Sequence, residues 1–193
     1  MLQTIRTDTR NIEALIEGLN QKIKQVLSPY ENALELLKQI PGLSNKTVED
    51  LVAETGLDMN VFPNEKHLCS WVGVSPGNNE SAGKKKNGRT THGNKQAKTT
   101  LTEAAWAAKN TKGSFYKARY HRIAARRGKK RAIIAVAHSI LKSVYYILKY
   151  NVAYNELGED YLNSQIEKSR KKYLISEFGK LGYSVMLTSK PVS

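Results

Sequence analysis

The stretch Ser81-Ala82-Gly83-Lys84 places a serine hydroxyl close to a lysine, in a region rich in glycine and cations. A serine hydroxyl attacks phosphorus poorly unless nearby cations lower the cost of forming its alkoxide and stabilise the charge that develops on the phosphoryl oxygens. Arg89 follows closely, and no acid occurs from 81 to 102. Ser81 is therefore a candidate nucleophile toward a phosphodiester. The alternative is a serine that caps a turn, and residue types alone favour that alternative.

The surrounding segment "GNNESAGKKK" resembles a nucleotide-binding phosphate loop but fails its spacing. Five residues separate Gly77 from Gly83, and Lys84 is followed by Lys85 where the loop requires Ser or Thr. A nucleotide-binding loop is therefore excluded. We instead expect an extended or disordered basic loop from about 77 to 99, whose amides and cations hold a phosphate. The candidate contacts in it are Lys84, Lys85, Lys86, Arg89, His92 and Lys95, with Lys98 beside them.

Positive charge is concentrated in one part of the chain. The formal net charge is +14, and residues 81–155 carry 18 of the 31 basic residues but a single acid, Glu103. Nucleic acid is the commonest polyanion to offset such repulsion, because neutralised phosphates release condensed counterions. A second cluster interleaves cations with Tyr116 and Tyr120, a pattern suited to backbone contact and stacking on DNA or RNA, with a solvated face as the alternative. Its cations are Arg119, Arg122, Arg126, Arg127, Lys129, Lys130 and Arg131.

Composition excludes several other classes of protein. The single cysteine, Cys69, rules out an intramolecular disulfide framework, and no Cys/His cluster has the spacing of zinc ligands. No stretch has the uninterrupted apolar character of a signal peptide or a membrane span. We therefore expect a cytoplasmic protein with no metal site.

Hydrophobic periodicity predicts a mainly α fold. Residues 5–26 follow the four–three spacing of a coiled coil, so we expect a long amphipathic helix that ends near Pro29. Shorter helices follow, including 64–72 with Leu68, Trp71 and Val72 as its buried side. Helices are also expected at 101–109, 114–125 and 132–150, the last as the core helix, and helical spacing returns at 161–178. Both tryptophans, Trp71 and Trp106, are expected to anchor the core, and His138 to be structural.

Two further short helices are expected within residues 32–56. They are joined by Ile40-Pro41-Gly42-Leu43 and resemble a helix-hairpin-helix. The turn amides and helix N-terminus of that motif can hold a DNA phosphate. Ser44 replaces the usual second glycine. Helix packing is therefore an equally good interpretation.

Several motifs together point to a family. The segment "WVGVSPGNNESAGKKKNGRTTHGNKQAKTTLTEAAWAAKN", followed by "FYKARYHRIAARRGKKRAIIAVAHSILKSVYYILK" and "YNELGEDYL", resembles the C-terminal half of the IS one-ten (IS110) transposases. These are bridge-RNA-guided recombinases of bacterial and archaeal insertion sequences. The resemblance covers most of the chain.

The resemblance implies a role for Ser81. In that family the serine of the S-[GA]-G-K element is the nucleophile that becomes covalently linked to DNA. Family members also carry an N-terminal RuvC-like domain whose DEDD carboxylates hold magnesium. The first acid here is Asp8, within the coiled-coil-like helix. We therefore expect that domain to be lacking and Mg²⁺ to act only through it.

These inferences combine into one hypothesis. We expect a coiled-coil-like helix at 1–28, a helical DNA-binding and catalytic-serine domain at 29–155, and a helical tail at 156–193. The chain would cut and rejoin DNA through a phosphoserine intermediate, with element-end and target DNA and a structured guide RNA as partners, and would form a homo-oligomer through its first helix. The alternatives are an inactive transposase remnant that only binds nucleic acid, and a helical DNA-binding protein without chemistry.

Overall fold

The protein is mainly helical, as predicted. In the computed structural model, residues 2–77, 79–81, 84–87 and 89–186 are described, with residues 79–81 and 84–87 described by their backbone. Eight α-helices and one two-stranded hairpin occur in these ranges. They are α1 (Leu2–Leu27), α2 (Glu31–Lys38), α3 (Asn45–Thr55), α4 (Glu65–Val72), β1 (Asn79–Ser81), β2 (Lys84–Asn87), α5 (Lys95–Ala108), α6 (Phe115–Arg127), α7 (Lys129–Tyr150) and α8 (Tyr161–Lys180).

Helix α7 is the centre of the core. It packs against α2, α4, α5 and α6, and its buried side includes Val136, Ile140 and Val144. By length and composition α7 could also cross a membrane, but half of its most apolar stretch is buried inside the fold. The prediction that this segment is the core helix is therefore confirmed.

The turn between α2 and α3 packs on helix α5. Gly42 adopts a φ of +89°, and a β-carbon added there would lie 2.4 Å from the carbonyl oxygen of Ala104 and 2.9 Å from the Ala108 side chain. Ser44 then begins α3 by accepting a hydrogen bond from the Thr47 amide. The glycine is thus required by helix packing, whereas phosphate binding by a helix-hairpin-helix stays a prediction.

The motif "YNELGEDYL" ties the end of the core to the start of α6. Glu156 accepts hydrogen bonds from the amides of Phe115 (2.8 Å) and Gly158 (2.9 Å) and from the Tyr154 hydroxyl (3.0 Å). The Tyr154 ring stacks on Tyr116, whose hydroxyl lies 3.0 Å from that of Ser143 on α7. This carboxylate therefore fixes the N-terminus of α6 against α7.

The two terminal helices are exposed along most of their length. The predicted helix near the N-terminus is confirmed as α1, and its apolar residues, among them Ile12, Leu19 and Ile23, face solvent. Helix α8 touches the core only near its start, where the Arg122 guanidinium donates to the Leu162 carbonyl. The coiled coil and the three-part domain division stay predictions, and residues 187–193 lie outside the described ranges.

The expected burial of the tryptophans is wrong. Trp71 is 42% exposed and meets Phe62 edge-on, and Trp106 is 46% exposed beneath the Lys109 ammonium. The other two residues of the predicted buried side of α4, Leu68 and Val72, are buried as expected, together with Cys69. Hydrophobicity alone predicted that Trp71 would pack in the core. The orientation of α4 instead places Cys69 there and leaves Trp71 partly exposed.

Replacing Gly42 by alanine should destabilise the fold strongly. The positive φ costs an L-residue about 1–2 kcal/mol, and the clash with α5 adds about 1–3 kcal/mol of overpacking. Gly113→Ala is the matched control, because Gly113 also has a positive φ (+69°) but open space around its α-carbon. Urea unfolding should show the larger loss for Gly42→Ala; equal losses would mean that the turn does not pack on α5.

Candidate nucleic-acid interface

A β-hairpin carries the candidate nucleophile. Strands β1 and β2 pair antiparallel, with Ser81 opposite Lys84 at the end of the pairing. The side chains of Ser81, Lys84, Lys85 and Lys86 lie outside the described part of the structure. The expectation of an extended segment is met at 79–81 and 84–87, but it is wrong for 95–99, which form the first turn of α5.

The base of this hairpin is held by backbone contacts that only glycine allows. The Gly77 amide donates to the Arg89 carbonyl at 2.7 Å, and the Thr91 amide donates to the Ser75 carbonyl at 3.2 Å. A β-carbon on Gly77 would lie 2.6 Å from that Arg89 oxygen. The two backbone segments at the base of the hairpin are therefore in direct contact, and a side chain at position 77 would push them apart.

Gly93 and Asn94 join the hairpin to three helices. A β-carbon on Gly93 would lie 2.4 Å from the Gly73 amide nitrogen and 2.5 Å from the Trp71 carbonyl oxygen, at the end of α4. Asn94 accepts the Ala97 amide as the N-cap of α5 and donates its side-chain amide to Glu54 on α3 at 2.7 Å. Sequence reasoning did not assign this role to them. An Asn-cap signal before the alanine-rich helix was available to find it.

The cap at Asn94 explains why α5 begins earlier than predicted. Lys95 and Lys98 are polar and lie before the apolar run, so periodicity placed the start at Leu101. With the cap in place both lysines occupy the first turn, and the Lys98 ammonium donates to the Thr90 hydroxyl at 2.7 Å. The hairpin base is thereby fixed to α5 by a side-chain contact as well.

A broad basic groove opens between the hairpin base, α5, α6 and the first turns of α7. Its volume is about 1390 Å³. Six cations and two histidines line it, and no acidic side chain among the described residues does. Its charged and titratable lining consists of Arg89, His92, Lys95, Lys98, Arg119, Lys130, Arg131 and His138.

The groove unites six of the predicted contacts and separates others. Arg89, His92, Lys95, Arg119, Lys130 and Arg131 line it. By contrast, Arg122 and Arg126 line a smaller cleft of about 440 Å³ with Glu159 and Asn163. The side chains of Arg127 and Lys129 are exposed and line neither cavity. The second predicted cluster is thus divided between two surfaces.

Arg119 is the most enclosed cation of the groove. Burial lowers the pKa of its guanidinium, which donates from Nε to the Ala135 carbonyl and lies 5.8 Å from the centre of the Phe115 ring. The ion pairs found among the described residues involve no cation of the groove. Because no carboxylate of the described residues pairs with it, the Arg119 guanidinium is available to an anion.

His138 lies in the groove, although sequence reasoning assigned it a structural role. Burial lowers the pKa of its imidazole, and the charges of Lys142 and Arg119 lower it further. The ring is therefore neutral at neutral pH. Sequence reasoning missed this role because His138 lies on an apolar helix. Only the packing of α6 beside α7 shows that its ring lines a polar surface.

No group of three or more His, Cys, Asp or Glu side chains is placed to hold a metal ion within the described ranges. The groove itself offers nitrogen cations, which repel Mg²⁺ and attract phosphate.

Comparison with protein families gives one match. Residues 34–121 match the sequence model of the Transposase IS116/IS110/IS902 family. The matched segment includes α3, α4, the hairpin, α5 and the first half of α6, so it contains one wall of the groove. No curated protein matches the chain. The match supports a transposase of this family, and DNA as its partner.

Removing the charge of Lys130 should stabilise the protein and weaken DNA binding. Three cations occupy the first turn of α7, whose N-cap Gly128 supplies no side-chain hydrogen bond, so they oppose the helix dipole. Lys130→Gln should raise the free energy of unfolding by about 0.3–1 kcal/mol while lowering affinity for a DNA duplex.

Lys46→Gln is the control for DNA affinity, because Lys46 is also the second residue of its helix but lies outside the groove. Its ion pair with Asp50 should make this variant lose stability where Lys130→Gln gains it. Thermal unfolding and fluorescence anisotropy measure the two effects. An unchanged DNA affinity for Lys130→Gln would remove this residue from the interface.

Proposed function

We propose that this chain is the serine-bearing part of a DNA transposase, in which the basic groove holds DNA phosphates and Ser81 attacks one of them. The observation that carries the proposal is the groove at the base of the Ser81 hairpin, whose charged lining among the described residues is entirely basic. The hairpin and one wall of this groove lie in the segment that matches a transposase family. The cations of a groove fix the position of a duplex through its phosphates. The rigid hairpin base then gives the serine a defined position relative to that duplex.

The proposed reaction exchanges one phosphodiester for another. The Ser81 oxygen forms a bond to phosphorus, its proton passes to solvent, and the bond from phosphorus to one deoxyribose oxygen breaks, with that oxygen taking up a proton. The resulting phosphoserine keeps the energy of the broken bond. A hydroxyl of a second DNA strand then attacks phosphorus and releases the serine, so that the strand is rejoined without an external energy source.

Lys84 is the proposed electrostatic partner in this step. It is paired with Ser81 across the hairpin, and residues opposite each other in an antiparallel pair lie about 4.5–5.5 Å apart at their β-carbons. A cation at such a distance stabilises negative charge on the phosphoryl oxygens. Ser81 and Lys84, three positions apart in the sequence, are thus neighbours across the hairpin.

The remaining cations suit a second nucleic-acid strand. Arg122 and Arg126 border their own cleft, beside the exposed side chain of Arg127. Because these cations lie outside the groove, they are free to hold another polyanion while DNA occupies it. We assign this surface to the structured guide RNA.

The exposed apolar side of α1 supports assembly with a second copy of the chain. Its side chains at Ile12, Ile16, Leu19 and Ile23 are all exposed, with the spacing of a coiled-coil seam. Burying this seam in a dimer would place two Ser81 hairpins in one complex. Recombination needs at least two strand cuts, so such a dimer fits the reaction, and DNA as substrate fits a cytoplasmic location.

Covalent capture tests the nucleophile. The chain, a RuvC-like domain supplied in trans, Mg²⁺ and guide RNA are combined with element-end DNA that carries a bridging phosphorothiolate, whose sulfur leaving group attacks back poorly. We expect a protein–DNA adduct on a denaturing gel for the wild type and for Ser75→Ala, and none for Ser81→Ala. An adduct with Ser81→Ala excludes this serine, and intact DNA binding without any adduct favours the inactive remnant.

Salt dependence tests the groove. Each lost phosphate contact should lower the slope of log affinity against log salt by about 0.9 on duplex DNA. We expect such a decrease for Arg119→Gln and for Arg131→Gln, and none for Lys66→Gln, an exposed lysine that lines neither cavity. Equal slopes for all three variants would place the DNA elsewhere.

A further inference from the structure

His138 occupies a position in the groove that the proposed function does not use. Its side chain is half-buried on α7 and lines the groove with Arg119, Lys98 and Arg131. The rest of its helix at this level is core: Ala137 and Ile140 on either side are fully buried. The imidazole ring therefore lies where the buried side of α7 borders the groove.

The charges around His138 are nearly all positive. Lys142 follows one turn later on α7, Arg119 faces it from α6, and Lys98 and Lys95 face the same groove from α5. Arg89 and His92 line the groove from the hairpin base, and Lys130 and Arg131 from the start of α7. The acid that acts on it is Glu65 on α4, which is engaged by the Lys142 ammonium at 3.5 Å. Protonating the ring would thus add one more positive charge to a set of described side chains that is already strongly basic.

We propose that His138 is a phosphate-binding residue of the groove and that it takes up a proton when nucleic acid binds. This inference rests on the proposed function, since it concerns the same groove. A bound phosphate reverses the balance at this site: it neutralises the neighbouring cations and offers an oxygen that accepts a hydrogen bond from the protonated ring. Neutral His138 in the free protein thus limits the repulsion that folding must overcome.

The sign of the pH effect follows from linkage. In the free protein the pKa of His138 is lowered below its ordinary value, so the ring carries no proton at neutral pH. Phosphate raises the pKa, and the complex therefore binds the proton more tightly than the free protein does. DNA affinity should rise as pH falls through the interval between the two pKa values, with about one proton taken up per site at most.

Imidazole NMR measures this directly, because the chain has only four histidines. Single His→Gln variants assign the four Cε1–Hε1 signals, which are then titrated in the free protein, with a DNA duplex and with pyrophosphate. We expect the pKa of His138 to rise by at least one unit on binding the duplex. The number of protons taken up on duplex binding, read from the pH dependence of affinity, should fall by about one in His138→Gln. It should stay unchanged in His67→Gln, an exposed histidine that lines neither cavity.

The outcomes separate this inference from the proposed function. If Arg119→Gln weakens duplex binding while the pKa of His138 does not change in the complex, the groove holds DNA and the inference is wrong. If Arg119→Gln has no effect on the duplex but pyrophosphate raises the pKa, the anion site stands and the proposed DNA groove fails. If neither ligand moves the pKa and the variant has no effect, both are overturned.

Discussion

The close contact of Gly93 with the end of α4 is the constraint on which the functional surface depends. At this point the backbone of the segment leaving the hairpin lies against Trp71 and Gly73 with no room for a side chain. The next residue, Asn94, begins α5 and reaches α3 through Glu54. One dipeptide therefore sets the hairpin, the first turn of α5 and the N-terminal helices in fixed positions. The walls of the groove follow from that arrangement.

The groove has an electrostatic cost that the core must offset. Cations in the first turn of α7 oppose the helix dipole, and Arg119 is partly buried without a carboxylate. These arrangements reduce stability in the absence of an anion. The apolar contacts of α7 with four other helices, together with the Glu156 hydrogen bonds at the start of α6, hold the cations in place. Such a trade of stability for charge is what the proposed binding of phosphate would require.

The neutral histidine fits the same balance. An additional permanent cation beside Arg119 would increase the repulsion in the free protein, whereas a group that becomes charged only beside phosphate adds its attraction when it is useful. The groove thus combines fixed charges, which attract any polyanion at long range, with one conditional charge that acts on contact. The hairpin bearing Ser81 rises from the edge of this same surface.

The sequence by itself determined the helices, the basic segment and the proximity of Ser81 to lysines along the chain, because these depend on periodicity and on short spacings. Caps at Asn64, Ser114 and Asn94 are equally local, although sequence reasoning did not identify Ser114 or Asn94 as caps and placed α5 too late. What only the tertiary structure decided is which cations share a surface. Residues 119, 122 and 126 occupy a narrow sector of α6, yet α7 on one side and α8 on the other divide them between two cavities. His138 and Trp71 show the same limit, since burial depends on which neighbours pack against a helix and not on the residue's own hydrophobicity.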